Sequence, residues 1–307
     1  MYLYLPVALT SINILVPVGL GLIVGLLSGL FSVGGGFLLT PLLIMFGIPS
    51  TVAAATDSNQ IVAASTSGTY AHWKVGNVDF KMGLYLLVGG FLGGIVGVQA
   101  IKLLHAMGNA DFVIKITYIL MLGIVGTYMF IESLQSMKKK KNVVEEVKGK
   151  KESAVGRFLK SLPLQTHFEK SGITHSVFVP IVLGAFVGVL AAIMGVGGGF
   201  LMVPIMVYML RMPMHVVVGT SLFQILFTCI EVTFLQAYTN HSVDFMLAVL
   251  LLLGSTVGAQ IGTVFGRKLK AEQLKILLAV IVLAVTVKIV FEITLTPSLL
   301  LSQVGGH

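Results

Sequence analysis

The sequence predicts an all-α polytopic membrane protein made of two homologous halves, each a glycine-broken helical hairpin followed by three transmembrane helices. Three observations carry this. The 307 residues are 56% hydrophobic and only 10% charged, whereas soluble domains carry about 25% charged residues. Uncharged runs such as Met1 to Thr56 and Met82 to Ala100 are long enough to span, since roughly 20 apolar residues cross a bilayer. The pentapeptide Val33-Gly34-Gly35-Gly36-Phe37 recurs 163 residues later as Val196-Gly197-Gly198-Gly199-Phe200, again inside apolar sequence. A glycine triplet breaks a helix because glycine loses the most backbone entropy on becoming helical.

The repeat extends well beyond the glycines. Pro41 answers Pro204 and Pro49 answers Pro213. Thr56 through Gln60 answers Thr220 through Gln224, and Val78-Asp79 answers Val243-Asp244. Val96-Gly97-Val98-Gln99 matches Val257-Gly258-Ala259-Gln260, and Lys115 and Glu132 match Lys275 and Glu292. The offset drifts only between 160 and 165, which marks an internal duplication. The glycine-broken stretch is expected at about residues 10–47 and 177–210. Helices follow near 51–73, 82–105 and 113–135, then near 214–238, 245–267 and 273–293. The predicted organisation is a first membrane repeat over 1–135, a basic cytoplasmic linker over 136–175 and a second membrane repeat over 176–307. The linker composition fits either a partly helical segment lying on the membrane surface or a disordered one.

Charge placement orients the chain. Ten Lys or Arg and four Glu lie between Met137 and His175, giving +6 of the formal +8. Basic segments flanking spans stay in the cytoplasm, and this accounts for the charge better than nucleic-acid binding does. With the linker inside, a single crossing by each glycine-broken stretch would put Arg267, Lys268 and Lys270 outside. A hairpin that folds back keeps these three, with Lys74 and Lys81, inside. Both termini then lie outside the cytoplasm, and three full crossings per half make the halves inverted, as is common in secondary transporters. The first charged residue is Asp57, so no basic n-region of a cleavable signal precedes the first apolar segment.

Broken helices at matching places in two halves are the best sequence pointer to a transport site. After each triplet a helix restarts, near Phe37 to Phe46 and Phe200 to Leu210. Its first amides lack intrahelical partners and carry partial positive charge, which suits an anion. The candidate binding residues are therefore Gly34, Gly35, Gly36, Gly197, Gly198 and Gly199. Thr56, Ser58, Gln60, Thr220, Ser221 and Gln224 add neutral hydrogen-bonding groups without the cost of a buried charge. Helix capping accounts for part of the first cluster, and helix–helix hydrogen bonds for part of the glutamines. Gln99 and Gln260, also repeated, are expected to be buried. Asp57 and Glu231 are ionisable groups inside spans and so candidates for coupling; the alternative for Glu231 is to pair with a distant lysine such as Lys288. His72, Trp73 and Lys74 close a helix at the cytoplasmic face, Trp73 as an interfacial anchor. Glycines spaced by four, at 21, 25 and 29, at 89, 93 and 97, and at 254, 258, 262 and 266, are read as helix-packing stripes.

Other chemistries find no support. The single Cys229 excludes an internal disulfide and a cysteine metal cluster. No metal-ligand spacing or nucleophile motif is present, and no βαβ unit surrounds the glycines, so no cofactor, metal or enzymatic activity is expected.

Two copies of a glycine triplet followed by Phe and a downstream proline, with Gly-Thr-Ser-Leu at 219–222 and Gly-Asn-Val-Asp at 76–79, resemble the TauE/SafE family, the sulfite exporters, also called TSUP. The likeness covers nearly the whole chain except the basic linker. The halves differ at Ser32 against Gly195, and at Ala55-Thr56-Asp57-Ser58 against Gly219-Thr220-Ser221-Leu222. The resemblance implies transport of a small sulfur-containing anion, such as sulfite, thiosulfate or an organosulfonate, across the prokaryotic plasma membrane. Alternating access with protons as coupling ion is the leading mechanism, and a passive anion channel of the same fold the alternative.

Overall fold

The computed structural model of the chain describes residues 2–31, 36–138, 164–210, 212–266 and 271–294. A β-hairpin (β1 Tyr2–Leu5, β2 Thr10–Asn13) leads into α1 (Leu15–Phe31), α2 (Gly36–Met45), α3 (Ser50–Lys74), α4 (Phe80–Ala106) and α5 (Ala110–Lys138). The same order then repeats. It runs through β3 (Gln165–Phe168), β4 (Ile173–Ser176), α6 (Phe178–Met194), α7 (Gly199–Pro204), α8 (Met214–Leu235), α9 (Phe245–Gly266) and α10 (Ala271–Thr294). Single π-helical turns extend α7 over Ile205–Met209 and α8 over Gln236–Asn240. Among the described residues, four helical segments are long and apolar enough to cross a membrane: Phe80–Ala106, Ala110–Tyr128, Met214–Asn240 and Phe245–Gly262. The chain is an all-α polytopic membrane protein apart from its two small hairpins.

Local sequence explains the boundaries. Pro49 and Pro213 hold extended backbone immediately before α3 and α8, because proline supplies no amide and fixes φ. Asp79 caps α4 by accepting from the Met82 amide at 3.0 Å, and Asp244 caps α9 by accepting from the Leu247 amide at 3.1 Å.

The linker differs from expectation at both ends. Helix α5 continues to Lys138, and residues 165–176 form a β-hairpin in the same register as residues 2–13. The β-branched and aromatic residues Thr166, Phe168, Ile173 and Thr174 on either side of the Gly172 turn favour strands, and charge content alone concealed it. Residues 139–163 lie outside the described part.

Helix directions follow from which residues meet. Along α3, Ile61, Gly68 and His72 approach Ile225, Leu222 and Gly219 of α8 in turn. Position rises on one helix as it falls on the other, so the equivalent helices α3 and α8 run antiparallel. Helices α5 and α10 do the same, with Gly123 near Thr286 and Gly126 near Val282. Helix α1 instead packs parallel to α9, and α6 parallel to α4. Each half thus lends its first helix to the other half's fourth. Gly25 lies directly on the Ser255 carbonyl, and Gly93 on the Ala185 carbonyl; a methyl group at either would overlap backbone. The stripes are packing surfaces, as small-xxx-small spacing implies.

These contacts also correct one alignment. Gly89, Gly93 and Gly97 meet Ile181, Ala185 and Val189, while Gly254, Gly258 and Gly262 meet Val18, Leu22 and Leu26. Structural equivalence in α4 and α9 therefore pairs Gly97 with Gly262, one turn away from the tetrapeptide match with Gly258. A stripe repeating every four residues matches itself when slipped by four. Gln99 and Gln260 are exposed on the helix surfaces, contrary to the expectation of burial, because the glycine faces turn them outward.

The broken segment of the second half leaves and returns on one side. His175, at its start, places Nε2 3.3 Å from the carbonyl oxygen of Leu210, at its end. Phe168, Val179, Leu210 and Met212 share one apolar cluster there.

The close approach yields a paired test in α1. Gly25→Ala should destabilise the detergent-purified protein by about 1–3 kcal/mol through overpacking. Gly19→Ala, whose added methyl would meet no atom within 4 Å, should leave the melting temperature unchanged or raised.

Candidate functional site

The second glycine break is a turn that only glycine makes easily. Gly195, Gly197 and Gly198 adopt φ of +70°, +66° and +74°, a region in which other residues are strained. Gly195 ends α6, its amide donating to the Ala191 carbonyl at 2.8 Å, and Gly198 precedes α7. Breaking the helix releases carbonyls that α6 itself no longer bonds, and three other elements serve them. The Gln236 amide donates to Ala192 O at 3.1 Å, the Tyr118 hydroxyl donates to Met194 O, and the Ser58 hydroxyl reaches Gly195 O at 3.3 Å. Ser58 is shared with Ala54 O of its own helix at 3.2 Å.

The first break converges on the same place. Gly34 and Gly35 lie outside the described residues. Gly36 opens α2 and sits against Ile61, with a Cβ position 3.3 Å from Asp57 Oδ1. The Cβ position of Gly197 falls 3.3 Å from Ile61 and 2.6 Å from the Cys229 sulfur. Ile61 therefore stands between the two breaks, with Asp57 turned to the first and Ser58 to the second. Asp57 is fully buried. Its Oδ2 accepts from the Thr40 hydroxyl at 2.8 Å, while Oδ1 has no hydrogen-bond partner among the described residues.

A polar strip runs along α8 against α4. Gln224 Nε2 donates to the Thr228 hydroxyl at 2.9 Å, both beside Gly90. One helical step on, the Glu231 carboxylate faces Gly94, whose Cβ position is 2.8 Å from Oε2. The oxygens Gln224 Oε1, Glu231 Oε2 and, across on α3, Gln60 Oε1 are buried without hydrogen-bond partners among the described residues. Lys288 is exposed on α10, and the carboxylate of Glu231 is turned to α4.

Several sequence-selected groups are occupied elsewhere. The Thr56 hydroxyl accepts from the Asp244 amide at 3.2 Å, and the Thr220 hydroxyl accepts from the Asp79 amide at 3.0 Å. These reciprocal bonds join each half's third helix to the other's fourth. The Ser221 hydroxyl bonds back to Val218 O at 3.1 Å. Gly199 begins α7 and is buried. His72 packs beside Gly219 with Nδ1 buried and unpaired among the described residues. Trp73 is exposed in an edge-on ring contact with Phe80, as an interfacial anchor would be.

Sequence reading passed over Thr40, Thr228 and Ile61. A threonine four residues after the glycine break, beside Pro41 in an otherwise apolar helix, was the available signal for Thr40. Ile61 looks like any apolar residue, and nothing local marks it. Among the described residues, no group of His, Cys, Asp and Glu could hold a metal ion.

Comparison with known proteins agrees with this architecture. The family model described as "Sulfite exporter TauE/SafE" matches residues 18–289. The probable membrane transporter protein YunE of Bacillus subtilis is 25% identical, with 89% of this chain and 96% of the relative aligned. The probable membrane transporter protein YjnA of the same organism is 28% identical over 88% of this chain and 97% of its own. A similar protein from Methanocaldococcus jannaschii, the probable membrane transporter protein MJ0441, is 23% identical over 84% of this chain and 88% of its own. No solved structure matches. With the family model spanning both glycine breaks and every helix that surrounds them, the chain belongs to the TauE/SafE sulfite exporter family of membrane transporters.

Proposed function

We propose that this membrane transporter is a secondary transporter that carries a small sulfur-containing anion (sulfite, thiosulfate or an organosulfonate) across the plasma membrane by alternating access. The observation that carries the reading is that Gly36 of the first triplet and Gly195 and Gly197 around the second flank three neighbouring residues of one helix, Asp57, Ser58 and Ile61. Broken helices meeting near mid-membrane are where transporter sites form. The name of the matching family and glycine backbone open to close approach both favour an anion. Gly36, Gly197 and Gly198 would offer backbone, and Ser58, Gln60 and Gln224 side-chain groups. Asp57 or Glu231 would carry a coupling proton.

The antiparallel pairing of α3 with α8 and of α5 with α10 supports inverted halves related by an axis in the membrane plane. That relation puts the two β-hairpins on opposite faces. The first hairpin segment carries no charge between residues 2 and 14, whereas Lys81 and Lys170 surround the second. The positive-inside rule then places β3 and β4 in the cytoplasm and the amino terminus outside.

Liposomes containing the purified protein should take up sulfite, thiosulfate or a sulfonate saturably, and an imposed proton gradient should drive accumulation uphill. Downhill flux indifferent to the gradient would instead identify a passive channel. Gly198→Leu combines a strained φ with a clash against Val187. It should lower the initial rate at least about tenfold at normal membrane levels; undiminished transport would remove this break from the site. Orientation is tested by an impermeant thiol reagent on intact cells. It should label Leu9→Cys and leave Lys170→Cys unlabelled, against a background in which Cys229 is buried; the reverse pattern would invert the assignment.

A further inference from the structure

The two halves differ at one buried position beside the breaks. Thr56 and Thr220 make equivalent bonds to Asp244 and Asp79, which aligns α3 with α8 and makes Ser221 the counterpart of Asp57. In the second half this position is a small hydroxyl turned back on its own helix. In the first it is a carboxyl at the opening turn of α2. Thr40 serves that carboxyl through its hydroxyl, which donates to Oδ2 at 2.8 Å. Oδ1 remains without a partner among the described residues and is aimed at the Gly36 end of the helix.

Helix α2 is ten residues long, and the amides of its first turn, which no preceding turn of the same helix can bond, give that end partial positive charge. An ionised Asp57 already supplies the negative charge that such an end attracts. An anion brought beside it would meet a like charge inside apolar surroundings, where repulsion is weakly screened. A protonated Asp57 reverses both terms: the charge is gone, and Oδ1 carries a hydroxyl that can donate to the anion.

We propose that Asp57 couples proton to anion by sharing the head of α2, its carboxylate holding that place when ionised and its hydroxyl holding the anion there when protonated. This rests on the transporter reading above and selects Asp57 over Glu231. One proton taken from water onto Oδ1 accompanies each bound anion, and both leave to the same side. For a singly charged anion the pair moves without net charge. The titratable groups facing Asp57 are Tyr118 of α5 and Cys229 of α8. Helices α1, α2, α6, α7 and α9 carry none, so among the described residues no cation on these helices neutralises the carboxylate in its place. Only the first half holds this device, because Ser221 has no proton to exchange in the neutral range.

The test uses thiosulfate and methanesulfonate, whose charges are constant across the neutral range. Two readouts are taken on the full chain. The first is anion-induced stabilisation against heat in detergent as a function of pH, since a ligand bound only to the folded state raises its melting temperature. For the unmodified protein the anion affinity should fall about tenfold for each pH unit above the titration of Asp57, the slope for one proton bound per anion. Asp57→Asn should bind with an affinity independent of pH. Asp57→Ser, which reproduces the second half, provides a second neutral variant. The second readout is flux in liposomes, where both variants should exchange anion across the membrane yet lose proton-driven accumulation. Retention by Asp57→Asn and Asp57→Ser of the original pH dependence or of uphill uptake would overturn the proposal. So would the absence of anion-induced stabilisation in all three proteins. Lack of flux by the unmodified protein, by contrast, would strike the transporter reading, while the binding arm would still decide the role of Asp57.

Discussion

A helix interrupted inside a membrane leaves carbonyls and amides that no water can serve, and the rest of this structure is arranged around that demand. The second break shows how it is met. Ala192, Met194 and Gly195 present three carbonyls, and side chains from the end of α8, from α5 and from α3 each reach one. None of these donors belongs to the segment that is broken. The break is therefore stable only within the assembled bundle, and movement of any of those helices disturbs its hydrogen bonds. Such dependence links the break to the packing of the whole protein.

Packing obeys a second demand. In lipid, helices gain little from apolar contact alone and associate through close backbone approach. The glycine faces of α1 with α9 and of α4 with α6 provide this, and they fasten the first helix of each half to the opposite half. The centre is left to α3 and α8, which are less tightly apolar and carry the hydroxyls, amides and carboxyls. Closely packed outer pairs and a polar inner pair divide scaffold from candidate site.

Much of this was legible in the residues. Helix boundaries around Pro49, Pro213, Asp79 and Asp244 were readable because proline and capping aspartate act locally. The glycine breaks and stripes were readable because their spacing repeats. Three things were not. Both hairpins were hidden, β1–β2 inside an uninterrupted uncharged run and β3–β4 because its surroundings are dominated by charge. The register of α4 on α9 was ambiguous because a four-residue glycine period is blind to a four-residue slip. The distinct duties of Thr56 and Asp57, adjacent in sequence, depend on which way each side chain leaves α3. One is turned to the amide of Asp244 and the other to Thr40, and no local pattern encodes that.

The hairpins carry a consequence for how the chain is made. The Val7 amide donates to Asp244 Oδ2 at 3.2 Å, and the Ser171 amide donates to Asp79 Oδ2 at 3.2 Å, so each hairpin latches the first turn of a helix in the opposite half. Together with the exchanged packing of α1 and α6, this leaves the first half unfinished when it emerges from the ribosome. Helix α4 has no partner for its glycine face until α6 is synthesised, and α1 waits longer still, for α9. Contacts so distant in sequence close slowly, and a membrane-inserted intermediate with bare glycine faces must persist meanwhile. The halves of this fold thus complete one another's packing, rather than each closing on its own.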